Sequence, residues 1–222
     1  MKEFAYIKQS LKWTKRYINK DSTLIIEKNN YSCFFLFDWV SSSDNAKEWI
    51  KIIKKHIKSK IEKYNGDNWL RLKNLIIESN NYLLESKIKN WLSTISCIYL
   101  SKNKNIVKIV NIGDSRIYGI FNQYKKQLTV DDKEIENSNF ITKCLWIQLN
   151  EHDIIEITLS YEDIGSNLVL CSDWFYSIFE KNILEFHEIL FYKKLWNIRN
   201  RLFKEIKGKN TDDSTYIYVI IK

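Results

Sequence analysis

Four short aspartate fragments are spaced along the chain: Phe37-Asp38, Gly113-Asp114-Ser115-Arg116, Cys171-Ser172-Asp173 and Asp212-Asp213-Ser214-Thr215. Each acid sits where an apolar, β-rich run stops, as after Cys33 to Phe37, Ile106 to Ile112 and Leu168 to Cys171, or where one begins, at Tyr216. A strand end holds a carboxylate rigidly at a cleft, and hard cations such as Mg²⁺ take oxygen donors and keep several waters. The four fragments therefore read as a carboxylate cage for divalent metals. That reading requires Asp38, Asp173 and Asp212 to converge within a few ångströms around shared cations. Each fragment alone is weak, since Asp at a strand end is most often a turn former or helix cap.

The elements that must position these acids follow from periodicity. Thr23 to Phe37 reads as two strands broken at Lys28 to Asn30, because Ile and Phe favour a pleated surface and paired Asn tolerates a turn. From Asp44 to Tyr64 the period becomes helical, with Ala46, Trp49, Ile50, Ile53, His56, Ile57 and Ile61 on one face. Trp69 to Trp91 repeats it after the Gly66-Asp67 break, which predicts an antiparallel helix pair. Period two returns in Ser93 to Leu100, Ile106 to Ile112, Ser115 to Phe121 and Gln127 to Val130, a meander. Val130 to Asn150 is less regular, with a short helix expected around Phe140 to Leu145, and reads as a flap. Strands at Asp153 to Leu159 and Asn167 to Cys171, a helical region at Ile183 to Lys207 and a closing strand at Thr215 to Ile221 complete a layered fold with sheets inside and helices outside.

With 222 residues the chain suits a single domain, 1–222, large enough to bury a real core. Its net charge of +8 could indicate an acidic partner, but the Lys residues are scattered among Asn and Ile, as on a solvated surface or under A/T-rich coding bias. No interleaved basic and aromatic motif marks a nucleic-acid binder. Cys33, Cys97, Cys144 and Cys171 form no CxxC pair and read as buried thiols in a reducing compartment. The first ten residues lack a secretory apolar stretch and no 18-residue uncharged run exists, so a cytoplasmic protein without membrane contact is expected. His56, His152 and His187 lack ligand-like spacing, and no Gly-x-Ser-x-Gly elbow supports a serine hydrolase.

In order and spacing these motifs resemble the metal-dependent protein phosphatases of the 2C family over nearly the whole chain. The resemblance implies an α+β fold, a four-layer α-β-β-α sandwich with two central, mainly antiparallel sheets. Arg16-Tyr17-Ile18-Asn19-Lys20-Asp21 looks like the family's Arg-x-x-Asn-Glu-Asp element, with Lys20 in place of Glu, which implies that Arg16 grips the substrate phosphate. Asp38 corresponds to the acid that bridges two metal ions, and the next backbone carbonyl, here of Trp39, is a further ligand. Asp173 and Asp212 are implied as ligands, and Asp114 as a holder of a third, looser ion; Asp213 stands where the family has Asn. The implied cofactors are two ions of Mn²⁺ or Mg²⁺, with room for that third. The implied partners are phosphorylated proteins, the targets of Ser/Thr kinases, dephosphorylated by a monomer that binds no nucleic acid. Arg116 reads as a structural ion-pair partner rather than a catalytic group.

Trp39, Trp146 and Trp174 stand where the family carries Gly, and Trp13 and Trp91 fit the same pattern, in a chain with only five Gly. Gly serves positions of positive φ or close backbone approach, where Trp is the worst replacement. Several of these Trp are thus expected to be UGA codons read as Trp in a lineage that assigns them to Gly. The competing expectation is a catalytically silent, phosphoprotein-binding pseudophosphatase with genuine Trp39 and Trp174 obstructing the metals.

Overall fold

The computed structural model of the protein describes residues 1–15, 17–40, 46–63, 71–86, 92–134 and 140–222. In chain order these form β1 (Phe4–Leu11), β2 (Ser22–Glu27), β3 (Tyr31–Phe37), β4 (Trp39–Val40), α1 (Ala46–Lys63), α2 (Leu72–Glu85), β5 (Leu92–Ser93), β6 (Ile95–Ser101), β7 (Val107–Ile112), β8 (Arg116–Ile120), β9 (Lys125–Gln127), β10 (Glu156–Leu159), β11 (Asn167–Cys171), α3 (Asp173–Lys181), α4 (Ile183–Leu190), α5 (Leu195–Ile206) and β12 (Ser214–Ile221). One sheet runs β1-β12-β11-β8-β9 and the other β10-β7-β6-β3-β2, each five-stranded, and β4 pairs β5 separately. Every strand pairing in them is antiparallel.

The layers follow from strand alternation. Successive side chains point to opposite faces, so a strand apolar at every position must be covered on both. β3 is buried throughout: Cys33, Phe35 and Phe37 face the side covered by Trp49, Ile53 and Ile57 of α1 and Leu75 and Ile76 of α2. Phe34 and Leu36 face the other sheet, meeting Ile217 and Val219 of β12 and Leu168 and Leu170 of β11. The opposite residues of those strands, Tyr216, Tyr218, Val169 and Cys171, pack under α3, α4 and α5 with Phe175, Phe179, Phe186 and Leu202. Three apolar seams thus separate four layers, the α-β-β-α sandwich expected. At roughly 1.5–3 kcal/mol for each fully buried large apolar side chain, these seams dominate the energetics. The two helices on the first face run antiparallel: Lys60 pairs Glu78 at 2.8 Å, while His56 stacks on Tyr82 with centroids 4.2 Å apart.

Several elements depart from the periodic reading. β1 was not signalled; its strand character comes from an eight-residue ladder with β12, more than 200 residues distant. The strand expected at Gln127 to Val130 lies earlier, because the Thr129 hydroxyl accepts the Ile117 N–H (3.2 Å) and ends the ladder with β8. No helix forms over the described residues 140–150. There Leu145 N–H donates to Ser93 O (2.8 Å), and the buried side chain of Asn80 on α2 accepts from Trp146 N–H and donates to Ile147 O (2.6 and 2.8 Å). The helical region expected from Ile183 is two helices broken between Leu190 and Leu195, and α3 precedes it. All four cysteines are buried free thiols. No helix among the described residues is long and apolar enough to cross a membrane.

The tryptophans separate by backbone. Trp146, with φ of 78°, is the only positive-φ residue other than Gly among the described residues, and its indole nitrogen is buried without a hydrogen-bond partner. Trp39 sits in an ordinary strand opposite Ser93, and Trp174 lies within α3. The backbone therefore calls for glycine at 146 and not at 13, 39 or 174, while Trp91 lies outside the described residues. Trp146→Gly is expected to be more stable than Trp146→Ala by about 1 kcal/mol, the cost of a Cβ in the left-handed region. Both variants lose the same indole, so urea unfolding of the pair isolates the backbone; at an ordinary position the order reverses.

Candidate metal centre

Each acid is delivered to one edge of the sandwich by the end of a different element. Asp38 leaves β3 and is fixed by its main chain: its carbonyl accepts from Thr94 N–H (2.8 Å) and the Ser93 hydroxyl (3.0 Å), and its N–H donates to Thr94 Oγ1 (3.3 Å). Asp114 lies in the turn between β7 and β8, where Gly113 has φ of 99°. Asp173 opens α3, whose N-terminus favours a negative charge. Its N–H donates to Asp38 Oδ2 at 3.4 Å. Asp212 lies in the turn before β12, and its Oδ1 accepts the Asp213 N–H (2.6 Å).

Asp38, Asp114, Asp173 and Asp212 line a single cleft of ≈ 460 Å³, together with Trp39, Thr94, Lys133, Trp174, Tyr176 and Lys181. The cleft keeps this volume with both Trp in place, and the Trp39 ring turns into the α1 seam, edge-on to Trp49 at 5.5 Å. Arg16 lies outside the described residues. Its flanks are held by the buried Asp213, whose two oxygens accept the N–H groups of Trp13 (2.8 Å) and Lys20 (2.7 Å).

One member was missed by the sequence reading although it closes the Arg16 to Asp21 fragment. Asp21 is buried, hydrogen-bonds the carboxyl of Asp38, and leaves its Oδ2 without a partner. The only advance signal was its place in that fragment. Lys133 and Tyr176, also in the cleft, carried none.

The electrostatics are those of acids crowded away from water. Burial first, then the charges of Asp21 and Asp173, hold the Asp38 carboxyl well above the usual range. Burial likewise raises Asp21 to about 7, against hydrogen bonds from Asp38 and Thr215 that lower it. Asp173 is raised to about 6 by burial and then by Asp114, partly offset by the Trp174 N–H. Among the described residues no three His, Cys, Asp or Glu side chains are close enough to form a ready-made chelate. Asp38, Asp114, Asp173 and Asp212 instead share the lining of one cleft. The donor chemistry nonetheless fits hard divalent cations. It is all oxygen, it includes the orphaned Asp21 Oδ2, and Mg²⁺ and similar ions fill the remaining positions with water.

Arg116 is structural: it forks onto Asp131 (2.7–3.1 Å), reaches Glu180 (3.0 Å) and stacks on Tyr176 (3.9 Å).

The four-layer sandwich is a fold shared with solved bacterial serine/threonine phosphatases. No protein-family model and no curated protein matches the sequence; the likeness lies in three dimensions. A bacterial serine phosphatase carrying a single substitution superposes with a TM-score of 0.82 at 20% identity, covering 99% of this chain and 98% of that one. The serine/threonine phosphatase Stp1 from Staphylococcus aureus gives 0.80 at 20% identity over 100% and 96%. The catalytic domain of the serine threonine protein phosphatase PstP, in complex with two manganese ions, gives 0.77 at 17% identity over 100% and 99%. At these identities the likeness establishes the fold.

Proposed function

We propose that the protein is a metal-dependent serine/threonine protein phosphatase. The observation that carries this reading is the convergence of Asp38, Asp114, Asp173 and Asp212, with Asp21 behind them, on one cleft, in a fold shared with a phosphatase that holds two manganese ions. Asp38, Asp173 and Asp212, with the Trp39 carbonyl, would hold two Mn²⁺ or Mg²⁺ ions. When bound, such ions lower the pKa of a water so that hydroxide is available at neutral pH. Asp38 would be a ligand to these ions, and the main-chain bonds from Ser93 and Thr94 fix its direction. Asp21, beside Asp38 and raised to about 7 by burial, would be able to take up a proton near neutral pH. Arg16 would grip two phosphoryl oxygens with its planar fork, a demand that Lys meets less well. The described residues Lys133 and Ile141 border the cleft and would form part of a substrate-side flap. The substrates are phosphoserine and phosphothreonine proteins, targets of Ser/Thr kinases, met by a cytoplasmic monomer.

The direct test is hydrolysis of a phosphothreonine peptide by the full chain with and without Mn²⁺. Phosphate release that requires the metal and stops with chelator is the expected result. Folded protein that releases none at any metal concentration overturns the reading.

A further inference from the structure

Two lysines, Lys133 and Lys181, line the cleft, and Lys133 lies against one of its acids. Lys133 follows the acidic pair Asp131-Asp132, and its ammonium lies 3.2 Å from Asp114 Oδ2 and 4.0 Å from Asp131 Oδ2. It also donates to the Tyr176 hydroxyl at 3.2 Å. The two paired side chains are 12% and 9% exposed, so the contact is largely out of water. Asp131 is already committed to the bidentate Arg116 fork, which leaves Asp114 as the principal charge partner of Lys133. Lys133 borders the same cleft as Asp38, Asp173 and Asp212.

A divalent ion ligated by Asp114 would have to sit roughly 2.0–2.6 Å from a carboxylate oxygen. An ammonium already held near that carboxylate would face it at close range with the same sign of charge, in a site where screening is weak. Moving Lys133 aside would take it from the Tyr176 hydroxyl as well as from Asp114. The donors that suit a third metal are thus occupied by the chain.

We infer that Lys133 is the cleft's third cation: its ammonium takes the place at Asp114 of a third divalent ion, so the protein binds two divalent ions and carries the remaining positive charge covalently. The inference rests on the two-metal reading above and deepens it. Its consequence is that the charge beside Asp114 does not depend on metal concentration. Lys133 is a positioning residue in this scheme, and its test is read in binding rather than turnover.

The experiment is a Mn²⁺ titration followed by electron paramagnetic resonance of the free ion, on the full-length wild type, Lys133→Gln, Asp114→Asn and the double variant. Circular dichroism and melting confirm that each is folded. The expected stoichiometry is two ions for wild type and for Asp114→Asn, three for Lys133→Gln with the added ion weakest, and two again for the double variant. A wild type that binds three ions and loses one in Asp114→Asn overturns the inference while leaving the two-metal reading intact, and this arm stands even if Lys133→Gln does not fold. A folded Lys133→Gln that still binds two overturns it likewise. A wild type that binds none removes both.

Discussion

Asp38→Asn should lose more than about 100-fold of Mn²⁺-dependent phosphatase activity and yet be more stable than wild type in metal-free buffer at neutral pH. Partners that merely orient a metal's ligands are worth about 10–100-fold, so a direct ligand should exceed that. The gain in stability has a separate origin. Asp38 is half-buried beside Asp21, Asp173 and Asp114, and loss of water contact, then these charges, raise its carboxyl well above the usual range. A carboxyl raised in the folded state makes its ionised form a cost at neutral pH, so removing the charge should recover stability in the metal-free protein. The sign with pH follows from the raised values. A group raised in the folded state contributes stability that is complete below its unfolded value near 4 and is lost as pH climbs through the folded one. With Asp173 near 6 and Asp21 near 7, metal-free wild type should lose stability between about pH 4 and pH 7, and Asp38→Asn should flatten that slope. Thermal melts in chelator across this range measure it, and Mn²⁺ should restore the wild type but not the variant. Equal slopes for the two proteins would mean that the acids are not coupled through position 38.

The parts of this molecule legible in sequence are those set by local chemistry. The α1 face of Trp49, Ile53, Ile57 and Ile61 repeats at helical spacing, and the helix ends within two residues of where the pattern does. The continuous apolar run of β3 cannot be solvated on either side, which already demands a two-sided cover. The acids were legible because a turn Asp after an apolar run has few places to go. What was hidden depends on partners remote in the chain. β1 carries Lys8 and Gln9 and becomes a strand only because β12 offers an unpaired edge. Residues 145–147 are held in a turn by Asn80, on a helix more than 60 residues earlier, so a local apolar cluster was mistaken for a helix. Lys133 sits in an irregular acidic stretch, and nothing local distinguishes it from the other lysines. Its significance comes only from the 3.2 Å to Asp114 that the β7–β8 turn creates.

That turn is where a single methyl group should do the most damage to the fold and site together. Gly113 has φ of 99°, and a Cβ built there would lie 2.5 Å from Thr94 Cγ2 and 2.7 Å from Thr94 Cβ. The left-handed backbone costs a non-glycine residue about 1–2 kcal/mol, and overpacking against a fixed neighbour about 1–3 more, so Gly113→Ala should be destabilised by about 2–5 kcal/mol. The neighbour cannot yield cheaply. Thr94 Oγ1 bonds the buried Ser115 hydroxyl at 2.8 Å and receives the Asp38 N–H, while the Gly113 main chain is clasped by Asp132 in both directions at 3.0 Å. Relieving the clash by moving Thr94 therefore moves Asp38, and relieving it by moving Gly113 moves Asp114. Chemical denaturation should show the stability loss, and a Mn²⁺ titration of whatever remains folded should show weakened binding even well below the unfolding midpoint. Thr94→Ser added to Gly113→Ala removes the Cγ2 overlap but not the Cβ contact or the backbone penalty, so it should recover part of the stability and no more. Full recovery would assign the whole cost to the methyl of Thr94 and none to the left-handed turn. A Gly113→Ala protein as stable and as tight for metal as wild type would show that this turn does not hold Asp38 and Asp114 in register.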